Sequence, residues 1–106
     1  MRFYVPQIKD QIVLTSDWSF HLHNEYRNAK LLDVVDPNGY DYSDPVVVTF
    51  PTGMVLRVER IYIRQNAPDY SSITFRVVKS PDNPAFLKAR FWVKLDDANK
   101  IEFDKE

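Results

Sequence analysis

The chain has 106 residues, enough for one hydrophobic core and too few for two, so residues 1–106 are read as a single domain. Apolar residues make up 44% and aromatic residues 14%, which is enough to fold without disulfide or structural metal, and the absence of cysteine excludes thiolate zinc sites and cysteine nucleophiles. Fourteen basic side chains against fifteen acidic ones leave a net charge of −1, so no long-range field gathers nucleic acid or an anionic membrane.

The first residues, Met-Arg-Phe-Tyr-Val-Pro, reach Lys9 and Asp10 without an apolar run of signal-peptide length, and no window approaches the roughly 20 apolar residues of a membrane helix. A soluble, cytoplasmic protein without a membrane partner is expected. Strands are predicted at 2–5, 11–15, 18–23, 30–35, 46–50, 54–64, 71–78 and 87–95, with a further short one at 100–103. Prolines at 6, 37, 45, 51, 68, 81 and 84 punctuate them, because each removes a backbone donor and biases its predecessor toward extended conformations.

Period-two patterning supports these strands one by one. Trp18, Phe20 and Leu22 alternate with Ser19, His21 and His23. His21, His23 and Glu25 then share one strand face, and two imidazoles with a carboxylate make a metal-ligand set, the basis of a small metal-dependent enzyme as one reading. Against it, the chain has no third histidine, and Asn24–Asn28 reads as a turn ending the strand. No cofactor and no metal are therefore expected. The segment Asn24–Leu32 is also the one place where a short helix fits, although it lacks a clear cap.

The loop from Asp36 to Pro45 carries Tyr40 and Tyr42, and the loop 64–70 carries Tyr70, each tyrosine beside an aspartate. Tyrosine on loops offers large contact area at low entropic cost, which makes these three candidates for contact with a protein partner; capping of a barrel mouth is the structural alternative. The turn Pro51-Thr52-Gly53 is predicted to join its flanking strands as a hairpin.

In the next strand the apolar set changes parity, from Met54, Leu56 and Val58 to Ile61 and Ile63. An extra residue near Glu59 and Arg60 restores both sets to one face, as a β-bulge does. Ile73, Phe75 and Val77 alternate with Thr74 and Arg76, and Arg57, Arg60, Arg64 and Arg76 are expected to pair on the surface with Glu59 and acidic loops.

The last long strand sets Leu87, Ala89, Phe91, Val93 and Leu95 against Lys88, Arg90, Trp92 and Lys94. Lys88, Arg90, Trp92 and Lys94 are candidates for binding single-stranded nucleic acid, with an outward aromatic among cations. The alternative is that Trp92 is covered by the amino-terminal strand or the carboxy-terminal tail. Residues 96–100 read as a turn.

Together these elements predict an all-β domain with room for one short helix: a small antiparallel barrel or compressed β-sandwich of about eight strands. The predicted core holds Phe20, Leu56, Val58, Ile61, Ile63, Ile73, Phe75, Phe91 and Val93.

The stretches Phe50–Arg64, Asp69–Arg76 and Ala89–Leu95 resemble short uncharacterised proteins of phages and mobile elements. That resemblance covers about half the chain, brings no catalytic residue, and implies a small protein that binds another macromolecule, such as a host factor. No Ser-His-Asp arrangement or glycine-rich phosphate loop stands out, and a general base cannot be chosen between two histidines of one strand. The leading expectation is a non-enzymatic protein-binding module using Tyr40, Tyr42, Tyr70 and Trp92, with the single-stranded nucleic-acid binder as the alternative and the metal-dependent enzyme third.

Overall fold

Alternating apolar and polar side chains build two antiparallel sheets that close on one core. The structure is a computed structural model and describes residues 7–35, 45–64 and 71–105. The predicted strand at 2–5 and the tyrosines Tyr40, Tyr42 and Tyr70 lie outside them.

Among the described residues there are seven strands: β1 (Gln11–Leu14), β2 (Trp18–Leu22), β3 (Val46–Phe50), β4 (Val55–Tyr62), β5 (Ser72–Lys79), β6 (Arg90–Lys94) and β7 (Phe103–Lys105). The larger sheet has the order β6-β5-β4-β1-β7, and β2 pairs with β3 alone. The architecture is a small sandwich and not a closed barrel. No helix of the described residues is long and apolar enough to cross a membrane.

The inner faces meet in an aromatic core. From β2 and β3 come Trp18, Phe20, Leu22, Val48 and Phe50; from the large sheet come Leu56, Val58, Ile73, Phe75, Val77, Phe91 and Val93, all buried. Phe20 stacks on Phe91 across the two sheets at 5.2 Å, and Phe50 meets Phe91 edge-on at 5.5 Å. The buried Trp18 indole donates to the Asp97 carbonyl at 2.9 Å, so its one polar atom is satisfied.

The parity change in β4 is a bulge where the sequence places it. Val58 faces Phe75 but Arg60 faces Thr74, leaving Glu59 as the extra residue, and Ile61 then returns to the inner face opposite Ile73. Ile63 departs from the predicted core. β4 ends at Tyr62, and Ile63 is 58% exposed.

Other boundaries move for physical reasons. The predicted strand at 30–35 is a helix, α1 (Ala29–Val35), preceded by a 3₁₀ turn over Tyr26–Asn28. The pattern is ambiguous there, because Leu31 and Val35 are also one helical turn apart and bury together. The Glu25 carboxylate caps the turn by accepting the Arg27 N–H at 3.3 Å.

The predicted strand at 87–95 shrinks to β6 because Lys88 has φ = 64°, a left-handed conformation that interrupts the alternation. Residues 95–98 form a short helix, α2 (Leu95–Ala98), where a turn is predicted, and the last strand lies at 103–105 rather than 100–103.

Pro51-Thr52-Gly53 turns the chain but makes no hairpin. β3 and β4 belong to different sheets, so the turn is a crossing between layers. Gly53 takes φ = 94°, the Asp17 carboxylate accepts the Thr52 N–H at 2.9 Å, and Gly53 donates to the Leu14 carbonyl at 2.9 Å.

Candidate functional site

The outer face of β4, β5 and β6 is an ordered array. Cross-strand register sets Arg57, Arg76 and Arg90 in one row, Arg60, Thr74 and Trp92 in the next, and Tyr62, Ser72 and Lys94 in the third. The bulge at Glu59 makes the last two rows possible, because it moves Arg60 and Tyr62 onto the outer face.

Glu59 answers the first row. Its carboxylate accepts from Arg57 at 3.3 Å and closely from Arg76. The Arg76 hydrogen bond, opposed by lost hydration and aided by Arg57, holds the Glu59 carboxyl below the ordinary carboxylate range. This bears out the expected surface pairing for Arg57 and Arg76. Arg60, Arg90 and Lys94 have no ion pair among the described residues.

Trp92 is half-buried, and among the described residues the segment that covers it is His23–Asn28, while the predicted amino-terminal strand lies outside them. The His23 ring stacks flat on the indole, 5.1 Å between centroids and 7° between planes. The Arg27 guanidinium sits 5.7 Å from the indole centroid, and the indole N–H donates closely to the Glu25 carboxylate. Lost hydration pushes the Glu25 carboxyl up, but hydrogen bonds from Arg27 and Trp92 outweigh it and leave the group below its ordinary range.

The same segment protects the edge of the sheet. Asn28 is fully buried; its Oδ1 accepts the Trp92 N–H at 2.8 Å and its Nδ2 donates to the Trp92 carbonyl at 3.4 Å and the His23 carbonyl at 3.0 Å. The side-chain amide thus pairs with β6 as a neighbouring strand's peptide group would.

Between these elements lies a hollow of about 410 Å³, lined by Arg27, Arg60, Tyr62, Ser71, Ser72, Thr74, Trp92 and Lys94. Among the described residues the lining has cations, hydroxyls and aromatics, and no carboxylate. Of the residues singled out for nucleic acid, the fold brings Arg90, Trp92 and Lys94 to this face, while Lys88 sits at the turn beside Arg57 and Arg76. Arg27 and Tyr62 join them; the sequence reading misses both, since Arg27 lies in a segment read as a plain turn and Tyr62 reaches the face only through the bulge.

His21, His23 and Glu25 do not converge on one point. His21 Nδ1 bonds the Asp97 carboxylate at 3.0 Å, His23 lies on Trp92, and Glu25 turns to Arg27 and Trp92. No group of three or more potential metal ligands occurs among the described residues. Asp97, another residue the sequence does not flag, also accepts the His21 N–H at 2.8 Å and lies 3.4 Å from Lys100 Nζ. Burial pushes its carboxyl up, but the His21 hydrogen bonds and Lys100 outweigh that and lower it. Burial and the Lys94 charge lower the His23 pKa.

Comparison with protein-family models, curated proteins and solved structures returns no match.

Proposed function

We propose that the protein binds single-stranded nucleic acid across the outer face of β4, β5 and β6. One observation carries this reading: on a chain of net charge −1, Arg27, Arg60 and Lys94 gather with Tyr62 and Trp92 around a hollow with no carboxylate among its described lining residues. Cations on a groove track a phosphate backbone, and aromatic surfaces receive bases in a sequence-tolerant way. Overall neutrality does not oppose this, because Arg60 and Lys94 have no ion pair among the described residues, while Glu25 answers Arg27 and Glu59 answers Arg57 and Arg76. Tyr62, 43% exposed, is the ring open to stacking, while Trp92 already carries His23.

The test is fluorescence anisotropy with a labelled oligonucleotide of about twelve residues, within the usual site size of small β-domains. Phosphate contacts by Arg60, Arg90 and Lys94 give a log–log salt slope of about −2. Arg60→Glu with Lys94→Glu is expected to weaken binding more than about tenfold, each lost contact costing on the order of 1 kcal/mol. Absence of binding, or binding indifferent to salt and to both substitutions, overturns the reading.

A protein partner is the second reading. Tyr26 and Ile63, 84% and 58% exposed, supply apolar contact surface of the kind such a partner uses. It predicts affinity that barely responds to salt.

A further inference from the structure

We propose that the hollow beside His21 and His23 cleaves single-stranded RNA by metal-independent transesterification, an inference that rests on the strand-binding reading above. The hollow, about 310 Å³, is lined by His21, His23, Pro45, Lys94, Asp96, Asp97 and Lys100. Lys94 also lines the larger hollow on the sheet face, so a strand bound there passes directly to the two imidazoles.

Both rings are held in place. The Asp97 side chain, only 7% exposed, bonds His21 Nδ1, which leaves Nε2 as the nitrogen able to meet a ligand. His23 is fixed by its flat contact with Trp92, and its lowered pKa keeps it neutral near pH 7. Both rings line the one hollow, where a base and an acid can each reach a phosphate held between them.

In the step, the ribose 2′-oxygen forms a bond to phosphorus while its proton passes to His23. The bond from phosphorus to the 5′-oxygen breaks, and the leaving oxygen takes a proton from His21, whose ring Asp97 holds in place. Lys94 neutralises charge on the non-bridging oxygens. The products are a 2′,3′-cyclic phosphate and a 5′-hydroxyl, and no water, metal or redox partner is consumed. His21 and His23 are the catalytic residues, and Asp97 positions His21. The fold does not require the imidazole bond, because Asp97 already latches α2 to β2 through the His21 backbone N–H.

The experiment incubates the full chain, in EDTA, with a fluorescent single-stranded RNA and with the DNA of the same sequence. The expected result is cleavage of the RNA to a cyclic phosphate seen by mass spectrometry, with the DNA intact for want of a 2′-hydroxyl. His21→Gln and His23→Gln are each expected to slow cleavage at least about 100-fold, the usual share of a general acid or base, with the far-ultraviolet circular dichroism of the parent kept.

Asp97→Asn is expected to lower kcat about tenfold with KM held within twofold, as loss of positioning without loss of binding does. The charged and titratable groups around that site are His21, His23, Lys94, Asp96, Asp97 and Lys100, with Glu25 and Arg27 across the indole. No cleavage by the parent chain, cleavage undiminished in both histidine variants, or equal cleavage of DNA overturns the inference. Salt-sensitive DNA binding without RNA cleavage overturns it alone and leaves the binding reading standing; failure to bind either strand removes both.

Discussion

Asn28 shows how much one side chain controls on this fold. Its amide meets both the N–H and the carbonyl of Trp92 from a fully buried position. Asn28→Ala leaves two backbone groups of β6 without partners, and the expected cost is about 2–3 kcal/mol, read from denaturant unfolding. Asp97 makes a different kind of link, and its pH dependence has a definite sign. Its folded pKa lies below the ordinary 3.8, so its contribution is full above that value and is lost as pH falls through the lowered folded value. Asp97→Asn is expected to flatten this acid limb in unfolding midpoints measured against pH. His23 acts in a higher window: the unfolded chain takes its proton first, so stability falls as pH drops from 6.5 toward the lowered folded value.

The bulge in β4 sets both the core face and the outer face of a single element. If the strand ran through Glu59 with regular pairing, Arg60 and Tyr62 would fall on the core side and Ile61 on the solvent side, because strand parity has period two. Deleting Glu59 removes the bulge but leaves Val58 opposite Phe75 and Arg60 opposite Thr74, so cooperative thermal unfolding is expected to survive the deletion. Glu59→Ala keeps the register and frees Arg57 and Arg76 from their carboxylate. The change is expected to cost under about 1 kcal/mol, as partly exposed pairs do, and to raise oligonucleotide affinity several-fold in the anisotropy titration. The opposing device is Lys88, whose left-handed backbone stops the alternation before β6. Lys88→Gly suits that conformation and separates the loss of its charge from damage to the fold.

Across the whole molecule, the aromatic core joins two sheets that share no strand. Phe91 on β6 contacts Phe20 and Phe50 from the small sheet as well as Phe75 beside it. Phe91→Ala is expected to cost about 3–5 kcal/mol, a large part of the stability of a domain this size, and to collapse the near-ultraviolet circular dichroism. Loss of that packing also removes the support under Trp92 and the hollow it lines.

Local patterning was sufficient for the elements whose neighbours demand strict alternation. Trp18–Leu22, Ile73–Val77 and Phe91–Val93 each have one face against the core, so period two is written into their residues, and the Glu59 bulge follows from a parity change visible in the chain. Alternation does not record which strand pairs with which, so Pro51-Thr52-Gly53 reads as a hairpin until β3 is seen beside β2. It also cannot separate a short helix from a short strand where Leu31, Leu32 and Val35 satisfy both periods. The candidate site was legible along β6 alone, in Arg90, Trp92 and Lys94. Arg27, Tyr62 and Asp97 come to it from segments distant in sequence, and long-range packing, which no local pattern encodes, brings them there.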